Sequence, residues 1–187
     1  MRCAARLRTV IAACRHASPE LVALPVEVAE GADVATGEGE ERLRQAVVER
    51  DVDLVIANAG VFSSGALDGL DLDTVRAEFE VNALGALRTV RACLPSLGAG
   101  AKIAVISSRA GSIVDNTSGG SYGYRMSKAA LNMAAVSLAR DLAPRGIAIV
   151  VPHPGVVATD LFRGASGAQR MATGAQSETP DGVAGPL

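Results

Sequence analysis

SYGYRMSKAALNMAAVSLARDLA, residues 121–143, reads as one long helix with an apolar stripe. It carries Tyr124 and Lys128 one turn apart on the same face. A lysine charge beside a phenol favours phenolate, so Lys128 is expected to pull the tyrosine down from its reference of about 10. That would turn Tyr124 into a general acid/base. The chain has only two lysines, Lys102 and Lys128, and two tyrosines, Tyr122 and Tyr124, so few pairings could give this spacing by accident. A solvated lysine beside a helix-start tyrosine would share it, however, and the rest of the chain has to decide.

Working outward, residues 102–107 (KIAVIS) form an apolar strand, and Ser108 to Gly120 is a Gly- and Ser-rich connection into the helix. After the helix, residues 146–151 (GIAIVV) form another strand, broken by His153-Pro154-Gly155. Upstream, residues 9–14 (TVIAAC) read as a strand ended by Arg15, and residues 21–28 (LVALPVEV) as a second, with Pro25 favouring an edge. Residues 52–57 (VDLVIA) make a strand running into Asn58-Ala59-Gly60. Helical patterns cover residues 40–50 and about 73–94, the latter capped by Asp71 or Asp73. Strands alternating with helices predict an α/β fold, a Rossmann-like doubly wound parallel sheet with helices on both faces. Ligands in such sheets collect at the carboxyl ends of strands. Arg15, Glu27, Asn58-Ala59-Gly60, Ser107-Ser108 and Pro154-Gly155 all fall at such ends in this reading.

The 187 residues are enough for one domain with a core. Hydrophobic residues make up 49% but aromatics only 3%, so Ala, Val, Leu and Ile must fill that core. A net charge of −2 offers no basic surface for nucleic acid or anionic membrane. Cys3, Cys14 and Cys93 are scattered without metal-ligand spacing, so no metal site is expected. Reduced thiols and the lack of a signal-peptide pattern or spanning stretch point to a cytoplasmic protein.

With NAG (58–60), VNALG (81–85), SSRAGSI (107–113), the Tyr-x-x-x-Lys helix and HPGVVATD (153–160) assembled in order, the chain resembles the short-chain dehydrogenase/reductase family. Within it, the motifs look most like the C-factor and sniffer-type carbonyl reductases. The resemblance implies hydride transfer between a nicotinamide cofactor and a small carbonyl or alcohol substrate. It implies four catalytic residues. Tyr124 would be the acid/base, Lys128 would lower its pKa and bind the nicotinamide ribose, Ser108 would hydrogen-bond the substrate oxygen, and Asn82 would hold a water in a proton relay. Asn82 has independent weight, because Asn is a poor mid-helix residue and has no capping role there. Ser108 could equally be a turn hydroxyl serving local backbone.

For the cofactor, the resemblance places Asn58, Ala59 and Gly60 against the adenosine half. Pro154, Gly155, Val157 and Thr159 would lie at the nicotinamide end, and Glu27 at adenine. Arg15 stands where a guanidinium can fork onto a 2′-phosphate, which favours NADP, with NAD possible. Homodimers or homotetramers are the family's usual assemblies.

The chain departs from the pattern at both ends. It has no TGxxxGIG turn of the kind that cradles pyrophosphate at a helix N-terminus, and Met1 to Arg8 resembles only the end of that helix. A truncated sheet is therefore expected, with the first and last strands missing and two unpaired edges flanking the gap. Residues 1–163 would be the incomplete dinucleotide-binding and catalytic domain, and 164–187 a flexible remnant. A fragment or misplaced start of a longer frame is one explanation; a degenerate family member is another, which leaves open a non-catalytic binding or signalling role.

Overall fold

The computed structural model describes residues 9–155. Within them lie five short strands: β1 (Ile11–Cys14), β2 (Glu27–Glu30), β3 (Leu54–Ala57), β4 (Lys102–Val105) and β5 (Ala148–Val150). Every pairing is parallel, as the alternation of strands and helices predicts. The strands form two ladders, β1–β2 and β3–β4–β5, instead of one sheet. The break falls between the strand ending at Arg15 and the strand ending at Asn58, where the missing strand is expected.

Local chemistry sets the helices. The first, α1 (Pro19–Val22), was not foreseen. Ser18 caps it by accepting from the Leu21 amide at 3.2 Å, and Pro19 occupies the first helical position. This turn displaces the strand expected at 21–28, so β2 starts only at Glu27. Pro25 then lies ahead of β2, which is an edge strand. The next helix, α2 (Gly37–Val47), is capped by Thr36 and buries Leu43 and Val47.

Asp71 caps α3 (Leu72–Phe79), its carboxylate accepting from the Asp73 and Thr74 amides. The expected continuous helix to Leu94 is interrupted: Glu80–Leu84 forms a π turn before α4 (Gly85–Cys93). One wide turn re-aims the side chains that follow it, and such turns are frequent at functional sites. Asn82 sits in this one.

The catalytic-helix candidate, α5 (Tyr122–Leu142), runs for 21 residues. Its entry is tight, with Gly119, Gly120 and Ser121 at φ of 62°, 67° and 45°. The two glycines adopt this conformation without a Cβ penalty; Ser121 does not, and its amide is held by the Gly65 carbonyl at 2.8 Å.

The core gathers between the second ladder and its helices. Ile103 and Val105 of β4 are fully buried, beside Val90 of α4 and Leu131 and Ala135 of α5. Each large aliphatic side chain buried there contributes about 2 kcal/mol. Along β3, Val55 and Ala57 are buried while Leu54 and Ile56 are 37% and 46% exposed. Among the described residues, therefore, helices cover one face of this strand rather than both. The two ladders are tied through α2 and α4, where Arg91 pairs with Glu40 and Arg88 donates to the Val34 carbonyl.

Candidate active site

The polar residues of α3, the π turn and α5 converge beyond the carboxyl ends of β3 and β4. Asn82 is 1% exposed. Its Oδ1 accepts from the Val61 amide at 2.8 Å, and its Nδ2 donates to the Val61 carbonyl at 2.9 Å and to Ser127 Oγ at 3.0 Å. Ser127 Oγ in turn donates to the Tyr124 carbonyl at 2.8 Å. Asn82 thus clamps the segment after Asn58-Ala59-Gly60 onto α5. Both its Nδ2 protons are engaged, which leaves a lone pair on Oδ1 as the position open to a water.

Lys128 is 5% exposed, and its ammonium donates to the Ile106 carbonyl at 2.8 Å. Burial pushes it down to about 8. It stays protonated at neutral pH, a buried cation facing the end of β4. Gly111 makes its position possible: a Cβ there would meet the Lys128 backbone carbon at 2.7 Å.

The Tyr124 phenol departs from the expectation drawn from the Lys–Tyr spacing. Its pKa is raised, first because burial disfavours phenolate and also because the Glu78 carboxylate repels it; the hydrogen bond to Ser108 acts the other way. Lys128 lies 5.7 Å from the ring centroid with its ammonium turned to Ile106, and it is not what sets this value. The resting group is a neutral phenol.

Ser108 serves the local turn, as one reading of it expected, and also reaches the phenol. Its Oγ accepts from the Ala110 amide at 3.2 Å as a turn cap, and it also hydrogen-bonds Tyr124. Its neighbour Ser107 is structural: Ser107 Oγ donates to Asn132 Oδ1 at 2.6 Å, and its amide to the Pro152 carbonyl at 3.0 Å.

The cofactor candidates divide. Arg15, Ala59 and Gly60 line a single cleft between the ends of β1 and β3, and Asn58 is exposed at its edge. At Gly60 a Cβ would come within 3.3 Å of Asn82 Oδ1, so the backbone runs close beneath the cleft. Glu27 does not belong there. It opens β2 opposite Ile11, at the amino end of the ladder, and pairs with Arg50 at 2.7 Å. The strand begins six residues later than expected, which moves Glu27 to the wrong end. The acidic residue that does line the cleft is Asp33, which sequence reading passed over although it follows Gly31 in a turn after β2. Pro154 is half-buried and Gly155 exposed beyond β5. Val157 and Thr159 lie outside the described residues.

Two further residues went unforeseen. Phe62 meets the Tyr124 ring edge-on, with centroids 4.9 Å apart and planes at 79°. Glu78 is only 3% exposed and accepts from the Ser63 amide at 2.6 Å. Among the described residues no acidic, His or Cys cluster could hold a metal, and no helix is long and apolar enough to cross a membrane.

The chain is similar to known proteins in sequence and fold. The short chain dehydrogenase family model matches residues 1–170. A 1-hydroxy-2-glutathionyl-2-methyl-3-butene dehydrogenase of Rhodococcus sp. (strain AD45) is 44% identical over 156 residues, covering 82% of this chain and 69% of that protein. The C-signal of Myxococcus xanthus is 50% identical over 115 residues, 59% of this chain and 68% of its own length. Among solved structures, a short chain dehydrogenase of Burkholderia cenocepacia J2315 in complex with NADP superposes with a TM-score of 0.79 at 30% identity, covering 97% of this chain and 79% of that one. On these matches and on the grouping of Asn82, Ser108, Tyr124 and Lys128, this chain belongs to the short-chain dehydrogenase family.

Proposed function

We propose that the chain reduces a small carbonyl compound with NADPH, or runs the reverse oxidation of an alcohol, with Tyr124 as the acid/base. The observation that carries this reading is a half-buried neutral phenol hydrogen-bonded to Ser108, one helical turn from a buried ammonium. Bound NADPH would supply the hydride. As the carbonyl carbon gains it, the C=O π pair moves onto oxygen. Ser108 and Tyr124 are the donors preplaced for that charge, and the Tyr124 proton is transferred to the oxygen. The phenolate left behind is the species that the charge of Lys128 favours. Burial keeps the phenol protonated at rest, so this resting state is prepared for reduction.

Arg15, Ala59 and Gly60 share one cleft, a donor and backbone set that fits the adenosine end of a dinucleotide. In this reading Arg15 meets a 2′-phosphate, Lys128 the nicotinamide ribose, and Pro154, Gly155, Val157 and Thr159 the nicotinamide end. The substrate would be a small carbonyl or alcohol, with chains paired as homodimers or homotetramers. The Burkholderia relative that binds NADP supports the cofactor, and the Rhodococcus relative's dehydrogenase name supports the reaction class.

Calorimetric titration tests it. NADPH is expected to bind at least about tenfold more tightly than NADH, and Arg15→Glu to reverse that order, because a carboxylate repels a phosphate and accepts from a free hydroxyl. Equal affinities in both proteins would overturn the NADP assignment. The likeness to C-signal favours a second reading, a signalling protein that keeps the fold without turnover. A folded chain that binds neither dinucleotide would favour it.

A further inference from the structure

The turn between β3 and α3 is pinned at two successive points by buried side chains. Asn82 holds both polar groups of Val61. One helical turn earlier, Glu78 holds Ser63, accepting from its amide at 2.6 Å and hydrogen-bonding its hydroxyl. Between the two pins stands Phe62, its ring against Tyr124.

A carboxylate that is 3% exposed is costly, and here no salt bridge offsets it among the described residues. Its seat is shaped for it. A Cβ at Gly123 would stand 2.1 Å from Glu78 Oε2 and 2.9 Å from the Val75 Cα, so the missing side chain leaves room for the carboxylate beside the catalytic helix. An apolar residue would fill this seat on α3 more cheaply. The group must therefore be doing something that packing does not require.

We propose that Glu78 is a positioning residue for Tyr124: its buried carboxylate fixes Ser63, which with Asn82 on Val61 holds the Phe62 ring edge-on against the phenol ring. This rests on Tyr124 being the acid/base. The Phe62 ring covers one side of the phenol ring, while the carboxylate places negative charge on the side of α5 nearest Gly123. Burial raises the Glu78 pKa and the Ser63 hydrogen bonds oppose the rise; once ionised, Glu78 repels phenolate and keeps Tyr124 a proton donor. Of the other charged groups on the packed elements, Glu80 pairs with Arg88, and Arg140 and Asp141 stand exposed at the far end of α5. Arg125 donates to the Gly119 and Gly120 carbonyls and Ser118, Arg76 pairs with Asp73 on its own helix, Asp71 caps α3, and Lys128 donates to Ile106.

The composition makes the test direct. The chain has two tyrosines and no tryptophan, so in a Tyr122→Phe background phenolate absorbance reports Tyr124 alone. That titration and the NMR cross-peak between the Phe62 and Tyr124 rings would be measured on the full chain with Glu78, Glu78→Gln and Glu78→Ala. Glu78→Gln keeps an acceptor for the Ser63 amide and loses the charge, so the cross-peak is retained and the Tyr124 midpoint moves to lower pH. Glu78→Ala loses both, so the cross-peak disappears. A cross-peak that survives in Glu78→Ala, or a midpoint unmoved in Glu78→Gln, overturns the proposal. If Glu78→Ala does not fold by circular dichroism, the Glu78→Gln midpoint alone decides. Neither readout needs turnover, so failure of the assigned reaction would leave this result standing, and the reverse.

Discussion

The two ladders are held in opposite ways. Around β3–β4–β5 the polar links are buried: Asn82 to Val61 and Ser127, Glu78 to Ser63, Lys128 to the Ile106 carbonyl, Ser107 to Asn132. Around β1–β2 they lie at the surface. Arg50 meets Glu27 with both side chains about half exposed, and Arg42 donates to the exposed Glu30 carbonyl. Surface pairs contribute up to about 1 kcal/mol, whereas breaking a buried polar bond costs about 1–3 kcal/mol. The half that carries the candidate site is thus specified atom by atom. The cofactor-side half is joined to it by helix packing and by no strand ladder among the described residues.

Glycine substitutions should separate the halves most widely. Gly111→Ala drives a Cβ into the Lys128 backbone and is expected to lose about 2–4 kcal/mol in urea denaturation, because neither segment can yield. Gly31→Ala, at φ 83° in open space after β2, carries only the left-handed penalty of about 1 kcal/mol. Equal losses would erase the contrast. Next in size, Asn82→Ala orphans the Val61 amide and is expected to cost about 2–3 kcal/mol, whereas Glu27→Ala removes only a surface pair and is expected to leave the denaturation midpoint nearly unchanged.

Lys128→Met is the sharpest of the smaller effects, because its sign is opposite. With the folded pKa at about 8 and the ordinary value at 10.5, the buried ammonium carries its full cost at neutral pH. The unfolded chain binds the extra proton between those values, so wild-type stability gains from this group as pH rises from 8 to 10.5. Lys128→Met is therefore expected to be about 1–3 kcal/mol more stable at neutral pH, with the advantage shrinking across that window. Denaturant midpoints against pH measure it; a variant less stable at neutral pH would show that the Ile106 bond outweighs the buried charge.

The parallel architecture, the broken sheet and the residues that come together at the candidate site, Asn82, Ser108, Tyr124 and Lys128, were legible because each carries a local signature. Asn82 was conspicuous as an Asn in mid-helix, and the π turn is the structural form of that anomaly. What escaped was decided by tertiary contact. Glu27 was misplaced because a four-residue helix and a four-residue strand compete for the same apolar run, although Ser18-Pro19-Glu20 is a readable helix start. Glu78 carries no signal in the sequence, since its burial depends on a glycine 45 residues away, Gly123. The pKa of Tyr124 was read with the wrong sign because spacing shows where Lys128 stands but not how deeply the phenol is buried.

The most direct measurement is the initial rate of NADPH oxidation with a panel of aldehydes and ketones, comparing the chain with Tyr124→Phe. The phenol-free variant is expected to keep its NADPH affinity and lose about 100-fold or more of its rate, the scale of a positioned proton donor. Turnover within about twofold of wild type in Tyr124→Phe would contradict it.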